Sequence, residues 1–121
     1  MVKAAVIEEG KVDAAFVKSL RGKLQVDQET FAHLLGMKGR TVSRWENEDV
    51  SPDALSVERI VRLKEVADLL LAFKQPASAV NWLRRPQQEL EGVPPIDLLG
   101  SEYATKVLKK LIQQAAEGTY S

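Results

Sequence analysis

The sequence predicts an all-α fold in which a helix-turn-helix head is followed by a smaller helical lobe. Three observations carry that expectation. Apolar residues recur at spacings of three and four in successive stretches, the longest running Val57, Ile60, Leu63, Val66, Leu70 and Phe73. Residues that cap helices stand just ahead of these stretches, at Asp13, Asp27, Ser51 and Ser101. Glycine or proline then punctuates the ends, at Gly36, Pro76 and Gly118.

Length and composition bound the rest. A chain of 121 residues can bury a core without covalent staples. It has no cysteine, which excludes a disulfide framework, a thiolate zinc site and a cysteine nucleophile. No basic-then-apolar signal segment opens it and no apolar run approaches bilayer length, so a cytoplasmic protein without a membrane partner is expected. Basic and acidic side chains number 17 each, so bulk charge does not advertise nucleic-acid binding. The distribution is uneven: residues 1–45 sum to +3, 46–68 to −4 and 69–121 to +1. The positive excess falls in the part that holds Arg40 and Arg44.

Residues 1–12 contain Gly10 and the extended-favouring pair Val6-Ile7, and read as an N-terminal arm or short strand. Residues 13–23 read as the first helix. Asp13 caps it, Ala14, Phe16, Val17 and Leu20 form its apolar stripe, and Gly22 sits near its end. Asp27 caps a second helix, where its carboxylate also suits the positive helix end. Gln28 and Glu29 occupy the first turn, where unpaired backbone N–H groups can approach a phosphate. Gln28 is expected to donate outward to a DNA backbone; the alternative is an ordinary surface glutamine. Phe31, Leu34 and Leu35 form the inner face, and Gly36 supplies a left-handed turn.

A third helix begins at Lys38 or Gly39 without a capping side chain. On a helical wheel, Val42 and Trp45 fall on one side, and Arg40, Ser43, Arg44 and Asn47 on the other. Two short helices joined by a tight turn make a helix-turn-helix, whose second helix is shaped for the DNA major groove. Lys38 and Arg40 place positive charge at a helix start, where the dipole opposes each exposed charge by roughly 0.3–1 kcal/mol. Nothing in the isolated fold is expected to compensate, whereas a DNA phosphate would. A solvated basic turn is the alternative.

Ser51-Pro52-Asp53 signals a helix start, with Ser51 as cap and Pro52 in the first position. The long stripe then runs from about Leu55 to Phe73, widened by Leu69 and Leu71. It leaves apolar area for the C-terminal lobe or for a second copy of the chain. Gln75-Pro76 breaks the pattern. The chain therefore divides into an arm (1–12), a helix-turn-helix DNA-binding domain (13–74) and a small helical C-terminal domain (75–121). Ala77–Arg84 is expected to bury Val80, Trp82 and Leu83. The stretch Pro86–Leu99, punctuated by Pro86, Gly92, Pro94 and Pro95, reads mostly as loop. Ser101 caps a last helix with the stripe Ala104, Val107, Leu108, Leu111, Ile112 and Ala115, closed by Gly118.

The segment Val26–Asn47 resembles the helix-turn-helix of the Cro/phage-repressor (Xre) family. The matching residues are Val26, Asp27, Gln28, Glu29, Phe31, Ala32, Leu35, Gly36, Met37, Thr41, Val42, Ser43, Arg44, Trp45, Glu46 and Asn47. The resemblance implies a structural ion pair between Arg21, seven residues before Gln28, and Glu46. It also implies a homodimer on two-fold related half-sites of double-stranded operator DNA. The DNA-binding residues would be Gln28, Lys38, Gly39, Arg40, Thr41, Ser43, Arg44 and Asn47. Two positions depart from the pattern: Gly39 replaces a side chain that often reads a base, and Glu48 replaces the usual glycine. Base reading is therefore expected from Arg40 and Arg44, whose forks fit O6 and N7 of guanine, with Lys38, Gln28 and Asn47 on phosphates.

The run NWLRRPQQELEGVPPIDLL resembles the toxin-binding region of Xre/MbcA/ParS antitoxins. It does so through Trp82, Leu83, Arg84, Pro86, Leu90, Gly92, Pro95, Asp97, Leu98 and Leu99, joined by Val107, Leu111 and Gly118. Tyr103 stands where that family usually has glycine. This resemblance implies an antitoxin of a type II toxin–antitoxin system that represses its own operon and neutralises a toxin. A RES-domain, NAD-consuming enzyme is the first expectation for that toxin. Trp82 and the segment Gly118, Thr119, Tyr120 and Ser121, with the preceding helix, would cover it. The alternatives are a stand-alone repressor whose C-terminal lobe only dimerises, and an interaction module without DNA binding. Catalysis and cofactors are not expected. His33 is the only histidine, no cysteine or second histidine can share a metal with it, and no glycine-rich phosphate loop follows a strand.

Overall fold

Polar side chains at helix starts, satisfying backbone N–H groups that have no helical partner, position most of this fold. A computed structural model describes residues 12–118. Among them stand six α-helices and no strand: α1 (Ala14–Leu24), α2 (Gln28–Leu34), α3 (Gly39–Asn47), α4 (Ala54–Leu71), α5 (Pro76–Arg84) and α6 (Glu102–Ala116). Two 3-10 turns, Gln88–Leu90 and Pro95–Leu98, and one isolated bridge between Gln87 and Val93 lie between α5 and α6. The fold is all-α, as the periodicity predicts. No helix among the described residues is long and apolar enough to cross a membrane. The expected arm falls almost wholly outside the described residues; Val12, its last residue, is buried.

Asp13 accepts from the Phe16 N–H at 2.9 Å, Asp27 from Thr30 at 2.8 Å, and Ser101 from Ala104 at 3.1 Å. The long helix departs from expectation. Its cap is Asp53, accepting from the Ser56 N–H at 2.8 Å, and Ser51 and Pro52 precede it. A carboxylate makes a charge-assisted bond to the N–H groups and also meets the positive helix end, so it outcompetes a hydroxyl two residues earlier.

The first two helices end by one device. At Gly36, with φ +72°, the Met37 N–H reaches the Ala32 carbonyl at 2.8 Å and the Gly36 N–H reaches His33 at 3.0 Å. This closure satisfies carbonyls that the helix leaves over. The same closure ends α1, but Gln25 takes the left-handed position with φ +56°, while Gly22 lies inside the helix.

The helices surround one continuous core. Val17, Leu20, Leu24, Phe31, Leu34, Leu35, Val42 and Ile60 fill the head, and Leu70, Ala79, Leu83, Leu99, Leu108 and Ile112 extend the same cluster into the C-terminal half. α5 packs on both α1 and α4, and α6 lies along α4. Gln75-Pro76 therefore interrupts the helix and not the core.

The apolar expectation shifts on three helices. Phe73, just past the end of α4, is 40% exposed, and Val57 is half-buried. Trp82 is half-buried, and Ala79 occupies the inner face of α5 instead. On α6 the buried face is Thr105, Leu108 and Ile112, while Val107 is 44% exposed. Thr105 can sit inside because its hydroxyl lies 2.8 Å from the Ser101 carbonyl and 3.2 Å from that of Leu98.

Candidate nucleic-acid interface

The outward surface of α3 is presented by the residues that α3 buries. Val42 and Trp45 are packed into the core, which turns Arg40, Arg44 and Asn47 to solvent and leaves Thr41 and Ser43 half-buried at the margins. Lys38 occupies the cap position before Gly39 and makes no side-chain cap bond.

The helix is anchored by a fork. Arg21 of α1 donates Nε to Glu46 Oε2 at 2.8 Å and Nη2 to Oε1 at 2.9 Å, and its Nη1 donates to the Val26 carbonyl at 3.0 Å. The Glu46 side chain is 1% exposed and that of Arg21 is 26% exposed. Burial pushes the Glu46 carboxyl up, but hydrogen bonds from Arg21 and Gln28 and the Arg21 charge outweigh it, leaving the group below its ordinary value. The bond to Glu46 raises Arg21 in turn, so both partners stay charged. A two-point guanidinium–carboxylate pair also fixes direction, which a single contact would not. Here it sets the angle of α3 against α1.

Gln28 belongs to this arrangement, contrary to a plainly outward role. It is half-buried, and its Nε2 donates to Glu46 Oε1 at 3.0 Å. The amide carries a second N–H, which this bond leaves over.

The start of α3 also holds a correction. The start of the helix, where the dipole is positive, does meet a carboxylate within the fold, that of Glu29 on α2, while Lys38 and Arg40 make no ion pair among the described residues. A Cβ built on Gly39 would lie 2.5 Å from Glu29 Oε1, so the carboxylate rests directly on the first residue of α3. Glu29, Gly39, Arg40 and Ser43 share one open cleft with Arg21 and Gln28. Further along α3, Arg44 Nε lies 3.6 Å from Glu48 Oε1, and Asn47 donates to Ser43 Oγ at 3.2 Å.

The residues expected to meet a protein partner lie elsewhere. Trp82 sits on α5, where Gln87 Nε2 donates to its carbonyl at 2.9 Å. Gly118 follows α6 with φ +68°, and Thr119, Tyr120 and Ser121 lie outside the described residues. His33 is exposed on α2, and no group of three or more His, Cys, Asp or Glu among the described residues is placed to hold a metal.

Sequence reasoning missed two arginines of α4. Arg59 Nη1 donates to the Leu35 carbonyl at 3.4 Å, and Arg62 Nη1 to that of Leu99 at 3.1 Å. No local signal in the sequence marks either, since each contact joins residues 24 or 37 positions apart.

The helix-turn-helix family model HTH_3 matches residues 17–68. The chain is 30% identical over 107 residues to the mycobacterial cidal antitoxin MbcA of Mycobacterium tuberculosis strain H37Rv, spanning 88% of this chain and 94% of that protein. It is 27% identical over 129 aligned residues to the Prs ADP-ribosylating antitoxin of Sphingobium sp. strain YBL2, across 98% of this chain and 80% of that protein. Its fold matches a chain of the crystal structure of the M. tuberculosis MbcT–MbcA toxin–antitoxin complex with a TM-score of 0.73 and 28% identity, covering 89% of this chain and 96% of that chain. A helix-turn-helix head continuous with a helical C-terminal lobe, matched over nearly the whole length of a curated relative, settles the lineage: the chain belongs to the MbcA family of antitoxins.

Proposed function

We propose that this antitoxin binds operator DNA as a homodimer, represses its own operon, and neutralises a partner toxin through its C-terminal region. Residues 13–74 would read DNA and 75–121 would meet the toxin, with Trp82 and Gly118–Ser121 at that contact. The match to MbcA across 94% of its length carries the reading, because it includes both halves. Arg40 and Arg44, exposed along one side of α3, and Lys38, exposed just ahead of its first residue, support the DNA half. A chain of the MbcT–MbcA complex shares this fold, which supports the toxin half. A RES-type, NAD-consuming enzyme in the cytoplasm is the partner we put first, on the resemblance of the run NWLRRPQQELEGVPPIDLL. The chain would act by binding and not by catalysis, without a cofactor.

Co-expression with the adjacent reading frame tests this. The expected result is stable co-purification and rescue from growth arrest, together with binding to the chain's own promoter that weakens steeply with salt. Promoter binding without co-purification or rescue would leave a stand-alone repressor whose lobe only dimerises. Binding insensitive to ionic strength would remove the DNA half.

A further inference from the structure

We infer that Glu29 reads a cytosine amino group in the major groove, in place of the side chain that position 39 lacks. The inference rests on the DNA-binding reading and deepens it. Gly39 is the first residue of α3, so a side chain there would project from the leading end of that helix. That space is already filled by Glu29. A Cβ built at position 39 would lie 2.5 Å from Glu29 Oε1, 3.3 Å from its carboxyl carbon and 3.4 Å from its Cα. Glycine at 39 is what lets the carboxylate lie there.

The chemistry of the group then restricts what it can read. Glu29 is exposed and lines the cleft that also holds Arg40 and Ser43. Its neighbour Asp27 spends a carboxylate oxygen on the Thr30 N–H, and Glu46 is enclosed by Arg21 and Gln28. Glu29 has no such bond among the described residues, so its acceptor positions remain for a ligand. An ionised carboxylate only accepts hydrogen bonds, and it repels phosphates. Within the major groove its suitable partners are the amino groups of cytosine and adenine. Adenine sets its N7 acceptor beside that amino group and would face the carboxylate with a lone pair. Cytosine presents no such neighbour.

The arginines and Glu29 thus divide the reading. Arg40 and Arg44 take guanine edges, and Glu29 takes the complementary kind of base at the leading end of α3. A guanine at the Glu29 position would present two acceptors to a carboxylate, which rejects it.

The test uses the full-length chain and its own promoter DNA, with each base pair of the bound site replaced in turn and affinity measured at one salt concentration. Wild type should show one C·G position per half-site whose replacement weakens binding roughly five- to fifty-fold, within the range of a good base contact. Glu29→Ala should flatten that position to within about two-fold of its replacements and leave the positions read by Arg40 and Arg44 unchanged. Gly39→Ala should do the same from the other side. The 2.5 Å clash is with the end of a flexible side chain, so the added methyl displaces the carboxylate. If both variants raise affinity by one common factor on every sequence and leave the base profile intact, Glu29 merely repels phosphate and the inference fails. A wild-type chain that binds no sequence in a salt-dependent way overturns the DNA reading itself, and this assignment with it.

Discussion

Arg59, near the start of the long helix, donates to the carbonyl of Leu35, the residue that leads into the left-handed Gly36. The same guanidinium lies against Gly100, where an added Cβ would stand 2.6 Å from Nη2. One side chain therefore touches the turn of the helix-turn-helix and the loop that leads into α6. Arg62, one turn on, ties the neighbouring Leu99 carbonyl to the same helix.

Arg59→Ala should loosen both places at once. Amide exchange is expected to quicken at Gly36 and around Gly100 together, with a stability loss of about 1 kcal/mol, at the low end for a charged donor because the bond is long. Quickening at one site without the other would show that the guanidinium does not link them. Gly36→Ala should cost more, about 1–2 kcal/mol, because φ +72° strains any residue with a Cβ.

Glu46 sets the response to acid. Although burial pushes its carboxyl up, bonds from Arg21 and Gln28 hold it below its unfolded value, so the unfolded chain binds the proton more readily. The stabilisation is complete above the unfolded value of about 4.3 and is lost as pH falls through the folded one. Asp27 and Asp53 add the same sense through the N–H groups of Thr30 and Ser56. Thermal unfolding should be level from about pH 5 upward and deteriorate below about pH 4. Glu46→Ala should lose roughly 2–4 kcal/mol at neutral pH, since it strands a largely covered arginine, and its acid slope should be shallower. An acid slope equal to that of wild type would remove Glu46 from this account.

Gln25 offers the opposite sign. It holds φ +56° at the end of α1 without being glycine. Gln25→Gly should stabilise the fold by about 0.5–1 kcal/mol, the relief of left-handed strain less the entropy glycine adds to the unfolded chain. A denaturant midpoint that does not rise would contradict this.

Val107 and Leu108 test which face of α6 is inside. Leu108→Ala should cost roughly 2–5 kcal/mol, since that side chain is fully buried. Val107→Ser should change stability by no more than about 0.5 kcal/mol. A comparable loss for both variants, read by chemical denaturation, would restore the stripe that simple spacing predicts, in which Val107 and Leu108 are both inside.

Those contrasts show what could be read in advance. Helix starts at Asp13, Asp27 and Ser101 and the stop at Gly36 were legible because each depends on one residue and its nearest backbone. The start of α4 is ambiguous in the sequence, because Ser51 and Asp53 both satisfy the local rule and only the backbone decides between them. Spacing alone puts Val107 inside, because periodicity counts carbon and does not register that the Thr105 hydroxyl is satisfied on two carbonyls. Arg21 and Glu46 stand 25 residues apart, and only resemblance to a family suggested their pairing. Glu29 on Gly39, and Arg59 between Leu35 and Gly100, leave no mark in spacing, since each depends on where a long side chain ends.

The core that runs unbroken past Gln75-Pro76 has a consequence for turnover. Leu83, Leu99, Leu108 and Ile112 share one cluster with Val17, Phe31 and Val42, so the C-terminal half cannot be stripped away without baring the interior of the head. A chain cut short before α6 is therefore expected to lose the fold of the helix-turn-helix along with the lobe, and no folded head should survive limited digestion.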